Sequence, residues 1–237
     1  MRAQAVRHLV LCPGFMTDRG LWARMEKGLA ALGHCQFADL GQDASLEEIA
    51  QRLLASAPET FVLIGFSMGG YVAREVVRQA PHRVAGLVLM NTSARPVGAN
   101  IAERNRGLIK VTMERGFRGL SRKALQRALH PERRQDDDLL REIQDMATRM
   151  GEAAFLRQLA LERRDGRPTL KDIECPTLVI WSRQDELRSL DEAQELAQGI
   201  PNAGLEIIEN CGHMTPLEQP DALSRILRDW LRTAFLE

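Results

Sequence analysis

Residues 61–70, Phe-Val-Leu-Ile-Gly-Phe-Ser-Met-Gly-Gly, decide the fold of this chain. The first six are almost all apolar and predict a buried strand, and a helical spacing of apolar residues begins at Tyr71. Between the two elements stands the pattern G-x-S-x-G. In a strand-turn-helix context this pattern predicts a sharp turn that presents Ser67 as a nucleophile. Side chains at Gly65 and Gly69 would collide with neighbouring backbone, which explains both glycines.

Outward from this stretch, short apolar runs alternate with longer segments of helical spacing. The alternation predicts an α/β protein whose parallel sheet carries helices on both faces. About six strands are expected, at residues 8–12, 35–40, 61–66, 86–91, 177–181 and 205–208. Ser45 and Glu48 have the spacing of a capping box and predict the start of a helix.

The alternation stops between residues 94 and 174, where no strand-like run occurs. Apolar residues there keep helical spacing instead, in one helix with Leu139, Ile143, Met146 and Met150 and in a further helix with Phe155, Leu156 and Leu159. The three aspartates at 136–138 predict a helix N-terminus, which the helix dipole favours. We therefore predict an α/β core at 1–93 and 175–237, with residues 94–174 inserted as a helical cap, or lid.

The charge balance of the chain bears on the class of its binding partner. Lysine plus arginine and aspartate plus glutamate number 32 each, so no net field attracts nucleic acid or an anionic membrane. We expect a small-molecule partner.

The N-terminal residues lack the apolar run of a secretion signal, which favours a cytoplasmic protein. The cysteines lack metal-site spacing, so neither a metal site nor a disulfide framework is expected: Cys12, Cys35, Cys175 and Cys211.

A serine nucleophile needs a histidine base, and the chain offers five candidates. His213 stands out because it follows the last predicted strand, on a loop at the carboxyl edge where parallel sheets place their sites. The other four have ordinary structural explanations at strand ends, in a turn or at a helix end: His8, His34, His82 and His130. Cys211 lies two residues before the histidine, and a buried apolar role explains it equally well.

The acid is expected between the serine and the histidine in the chain order. Asp185 follows the fifth predicted strand, again at its carboxyl end. Glu186 and Asp191 are rivals, although Glu186 would point elsewhere on the turn and Asp191 falls in the next helix. We predict Asp185 as the acid.

The oxyanion that develops during acyl transfer requires two preorganised donors. The backbone N–H of Met68, directly after the nucleophile, is the first candidate. The second should come from the loop after the first strand, where we choose Phe15 and keep Met16 as the alternative.

These motifs resemble the α/β-hydrolase superfamily over nearly the whole chain apart from the insertion. The residues that carry the resemblance are Cys12 to Phe15, Gly65 to Gly70, Asp185, and Gly212-His213 with Glu218 and Pro220 downstream. The chain is similar to small bacterial single-lid hydrolases and carboxylesterases, including the pimeloyl-ester carboxylesterases. The resemblance implies a Ser-Asp-His triad, no cofactor, and a pocket between the sheet and a helical cap.

Three departures from the family pattern stand out. The usual His-Gly before the oxyanion loop is Pro13-Gly14 here. The loop around the acid carries Ser182 and Ser189 in place of the usual glycine and proline. Few residues precede the first strand, so we expect a trimmed sheet of six strands.

The leading functional hypothesis is a serine hydrolase that cleaves a small carboxylic ester through an acyl-enzyme. The same triad supports lactone opening, thioester hydrolysis and carbon-carbon cleavage. A third hypothesis is a ligand-binding receptor of this fold without turnover. No motif specifies the acyl chain or the oligomeric state.

Overall fold

Six parallel strands form one sheet in the computed structural model, which describes residues 8–235. The strands are β1 His8–Cys12, β2 His34–Phe37, β3 Phe61–Phe66, β4 Val84–Met90, β5 Thr177–Ser182 and β6 Ala203–Ile208. They lie in the order β2-β1-β3-β4-β5-β6. The predicted α/β class and six-stranded parallel sheet are confirmed. Residues 1–7, where the sequence was examined for a secretion signal, lie outside the described part of the chain.

The second strand ends earlier than predicted, at Phe37 rather than at residue 40. The reason is local, because the Asp39 carboxylate accepts the N–H of Gly41 at 2.8 Å and turns the chain. The apolar run continues past the strand end, and Leu40 is buried without belonging to the sheet.

Helices cover both faces of the sheet. The α-helices of residues 8–235 are α1 Glu26–Ala30, α2 Leu46–Ser56, α3 Met68–Gln79, α4 Ala99–Arg115, α5 Arg122–Arg127, α6 Asp137–Ala160, α7 Leu190–Gly199, α8 Thr215–Glu218 and α9 Pro220–Phe235. Side chains alternate along each strand, so Leu9 and Leu11 pack in one core cluster with α1 and α9. Val10 and Cys12 pack in the other with α2, α3 and α7.

The segment between β4 and β5 is helical and contains α4, α5 and α6. Asp136 caps α6 by accepting the N–H of Leu139 at 3.0 Å, as the aspartate run predicted. Gly151 has a φ of 75° and breaks α6 into two parts, which matches the two helical patterns of the sequence. Within residues 8–235, no helix is long and apolar enough to cross a membrane.

Candidate active site

Ser67 lies at the junction of β3 and α3, at the carboxyl edge of the sheet. Its backbone has φ 51° and ψ −111°, a conformation that L-residues rarely adopt and that functional sites tolerate. The glycines of the motif are required sterically. A Cβ on Gly65 would lie 2.7 Å from the carbonyl oxygen of Gly69, and a Cβ on Gly69 would lie 2.5 Å from that of Pro13. The predicted sharp turn is confirmed.

His213 connects Ser67 to Asp185 through a chain of hydrogen bonds. Its Nε2 lies 2.9 Å from the Ser67 Oγ, and its Nδ1 lies 2.7 Å from the Asp185 Oδ2. The His213 and Asp185 side chains are both almost fully buried. The structure thus brings together the three residues that the sequence predicted, although Ser67 and Asp185 are 118 positions apart in the chain.

The rival acids lie elsewhere. Glu186 is exposed and forms an ion pair with Arg134 of the segment between β4 and β5. Asp191 is exposed in the first turn of α7. The Asp185 carboxylate is oriented by its Oδ1, which accepts the N–H of Leu187 at 2.7 Å and that of Arg188 at 3.0 Å.

The remaining histidines and Cys211 stay apart from this chain of hydrogen bonds. His8 and His34 pair across β1 and β2, while His82 lies exposed in a turn. His130 accepts the N–H of Glu132 through its Nδ1. Burial raises the pKa of the Cys211 thiol to about 12, so this cysteine remains a neutral thiol at physiological pH.

The two predicted oxyanion donors have free N–H groups. Within residues 8–235, neither the Phe15 N–H nor the Met68 N–H donates a hydrogen bond. The alternative donor, Met16, is already engaged, because its N–H donates to the Gln158 Oε1 at 2.8 Å. The geometry therefore favours Phe15 over Met16.

A family model for the alpha/beta hydrolase family matches residues 9–226 of the chain. The chain belongs to this family. It is similar to the pimeloyl-[acyl-carrier protein] methyl ester esterase of Aromatoleum aromaticum. The two sequences are 30% identical over 203 residues, which cover 79% of this chain and 80% of the relative.

Other hydrolases show similar coverage. The monoacylglycerol lipase ABHD6 of Homo sapiens is 26% identical over 257 residues, covering 94% of this chain and 74% of that protein. The malate-bound structure of a thermophilic esterase from Thermogutta terrifontis superposes with a TM-score of 0.83 at 27% identity, covering 99% of this chain and 92% of the other.

Asn91 has a structural role next to the candidate site of this alpha/beta hydrolase. It is buried at the end of β4 with a φ of 45°. Its Nδ2 donates to the backbone oxygen of His213 at 2.8 Å and to the Thr215 Oγ1 at 2.7 Å, while its Oδ1 accepts the Ser182 N–H. It therefore joins the ends of β4 and β5 to residues 209–214, the loop between β6 and α8 that carries His213 (the histidine loop).

The histidine loop of the hydrolase also docks on the end of α5. The N–H groups of His213 and Met214 both donate to the backbone oxygen of Ala128, at 2.9 and 3.2 Å. The buried Glu218 accepts the N–H of His130 at 2.6 Å. Three hydrogen bonds thus hold the segment between β4 and β5 against the loop that carries the histidine.

An apolar cluster lies next to the predicted oxyanion loop. Met16 is buried against Ala147 and Phe155 of α6. The Phe155 ring packs on those of Phe15 and Phe117, with centroids 5.8 and 4.7 Å apart. A cavity of about 350 Å³ borders Thr17, Leu40 and Met150, and its lining contains none of Ser67, Asp185 and His213.

Proposed function

We propose that this chain is a serine carboxylesterase that cleaves a small ester through an acyl-enzyme. The observation that carries the proposal is the unbroken chain of hydrogen bonds from Ser67 through His213 to Asp185, at 2.9 and 2.7 Å. A serine hydroxyl becomes a competent nucleophile when an oriented imidazole takes its proton. The names of the relatives, two esterases and a lipase, support ester chemistry.

In the proposed reaction, His213 removes the Ser67 proton as the hydroxyl attacks the ester carbonyl. The N–H groups of Phe15 and Met68 receive the oxyanion of the tetrahedral intermediate. His213 then gives the proton to the leaving alcohol, and water activated by His213 releases the acid. The side chains supply nucleophile, base and orientation, so the proposed reaction uses no cofactor.

The helical segment 94–174 serves in this proposal as a lid over the site. Support comes from the contacts of Ala128 with the histidine loop and of Phe155 with Phe15. The aromatic and thioether side chains around the predicted oxyanion loop, Phe15, Met16 and Phe155, favour an apolar acyl group over a charged one.

A fluorophosphonate probe and a matched pair of variants test the proposal. We expect the probe to label the wild type on Ser67. Ser67→Ala should lose at least about 1,000-fold in kcat on p-nitrophenyl acetate, because the nucleophile is gone and only binding and the oxyanion hole remain. Ser224→Ala, in the distant helix α9, is the control and should match the wild type.

Intact-mass and steady-state measurements give the readout. An unlabelled wild type without activity on short esters would refute the serine esterase. Labelling of Ser67 with turnover only of lactones or thioesters in the same panel would keep the nucleophile and refute the ester substrate.

A further inference from the structure

Gln158 is a buried residue of α6, and both its amide oxygen and its amide nitrogen form hydrogen bonds with backbone groups. Only 1% of its surface is exposed. Its Oε1 accepts the N–H of Met16 at 2.8 Å, and its Nε2 donates to the backbone oxygen of Leu40 at 3.1 Å. Burying an unpaired amide is costly, so a glutamine is tolerated here only because these two partners are available.

The segment that Gln158 holds is strained and lies beside Ser67. Met16 has a φ of 52°, which costs a non-glycine residue about 1–2 kcal/mol. The turn closes through the Thr17 N–H, which donates to the Gly14 carbonyl oxygen at 3.4 Å. A Cβ built on Gly14 would lie only 3.4 Å from the Ser67 Cβ, so the turn is a direct neighbour of the nucleophile.

The direction of the Phe15 N–H follows from this turn. In a trans peptide the N–H points opposite to the carbonyl of the preceding residue. Because the Gly14 carbonyl points into the turn toward Thr17, the Phe15 N–H points out of it. Rotation of the next peptide, between Phe15 and Met16, would take Met16 out of its left-handed conformation and change the course of the turn, and the bond from the Met16 N–H to Gln158 opposes that rotation.

We infer that Gln158 is a positioning residue for the oxyanion hole. It binds the Met16 N–H, keeps Met16 in its left-handed conformation, and thereby holds the Phe15 N–H where the oxyanion forms. The inference rests on the proposed esterase function. Its consequence is that α6, which belongs to the segment between β4 and β5, helps to build the oxyanion site as well as covering it.

Two substitutions separate positioning from packing. Gln158→Met keeps nearly the same length and volume but offers no acceptor to the Met16 N–H. Gln158→Glu keeps a carboxyl oxygen as acceptor in either protonation state. Positioning predicts a kcat loss of about 10- to 100-fold for Gln158→Met, with KM within about twofold, and a smaller loss for Gln158→Glu. Packing alone predicts the reverse order, since methionine is uncharged and fills the space.

Gln144→Met is the matched control. Gln144 lies on the same helix and also accepts a backbone N–H, that of Leu120 at 3.1 Å, but does not touch the turn beside Ser67. We expect its kcat to stay within about twofold of the wild type, against the larger loss that misplaced catalytic geometry causes.

A trifluoromethyl ketone gives a second readout, because its adduct with Ser67 places a negative oxygen in the oxyanion hole. Its inhibition constant should rise in Gln158→Met by the same factor by which kcat/KM falls. Near-ultraviolet circular dichroism checks folding, and Gln158→Asn, whose amide is too short to span both partners, replaces Gln158→Met if that variant does not fold.

A folded Gln158→Met enzyme with wild-type kcat, or one more active than Gln158→Glu, would overturn the inference while leaving the esterase intact. A wild type that neither reacts with fluorophosphonate nor turns over esters would overturn the esterase proposal itself.

Discussion

Asp185 uses its two carboxylate oxygens for different partners. One accepts two backbone N–H groups of its own loop, and the other faces the Nδ1 of His213. The backbone of the loop therefore orients the carboxylate independently of its contact with His213. The Leu187 and Arg188 N–H groups thus orient the carboxylate of the proposed acid, although its loop lacks the glycine and proline usual in the family.

We expect Asp185→Asn to reduce kcat by about 1,000- to 10,000-fold with native folding. The asparagine oxygen would accept the Leu187 and Arg188 N–H groups, so its amide nitrogen would donate to the His213 Nδ1. That bond places the imidazole proton on Nε2, which then cannot accept the Ser67 proton. Steady-state kinetics and circular dichroism measure the effect.

Asp191→Asn removes the same charge from the exposed first turn of α7 and is the control for this variant. A loss below tenfold in Asp185→Asn would show that the acid lies elsewhere.

At the scale of elements, the histidine loop depends on α5 and α8. Glu218 of α8 accepts the N–H of His130, and the carbonyl of Ala128, at the end of α5, accepts N–H groups of the histidine loop. Burial raises the pKa of Glu218, and the His130 N–H and the charge of Arg133 oppose this effect only in part. The contact between α8 and the residues after α5 thus contains a carboxyl group that is costly to ionise.

Glu218→Gln should change the pH dependence of stability. A carboxyl with a raised pKa in the folded protein holds more protons when folded, so the free energy of unfolding falls as pH rises from its ordinary value of 4.5 through the raised folded value. Glutamine does not titrate. We expect the melting temperature of the wild type to fall relative to that of Glu218→Gln across this window.

Thermal unfolding from pH 4 to pH 8 measures the difference in melting temperature between the wild type and Glu218→Gln. Glu103→Gln on the exposed surface of α4 is the control for loss of a carboxyl group. Parallel curves for the wild type and Glu218→Gln would contradict the prediction.

At the scale of the whole molecule, α5 and α6 share a hydrophobic core with the sheet. Ile143 and Met146 belong to the same buried cluster as Leu9 and Leu11 of β1. A segment joined to the sheet by a common core is expected to unfold together with it, so we predict that the proposed core and cap form a single folding unit.

Ile143→Ala should destabilise the entire chain by about 2–5 kcal/mol, through lost burial and a residual cavity. All three tryptophans lie outside residues 94–174, so their fluorescence reports on the α/β core: Trp22, Trp181 and Trp230. We expect the fluorescence transition to shift with the circular-dichroism transition.

Val111→Ala, at a position 49% exposed on α4, is the control and should leave both transitions near wild type. An unchanged fluorescence transition beside an earlier, separate loss of helix would show that the segment unfolds alone.

The sequence by itself determined the sheet, the turn at Ser67 and the approximate place of each predicted site residue. These features are local, since a strand-turn-helix with two required glycines is written in consecutive residues, and strand order places loop residues at one edge. The predicted end of β2 was wrong for a local reason as well, because the Asp39 side chain turns the chain and β2 ends before residue 40.

Only the tertiary structure decided which side chains hold the site in place. Gln158 meets Met16 across 142 positions, Asn91 meets His213 across 122, and Glu218 meets His130 across 88. No periodicity or motif marks such pairs, because each depends on how separate elements pack. The same packing distinguishes Phe15 from Met16 as candidate oxyanion donors, since only the contact with α6 shows that the Met16 N–H is already bound.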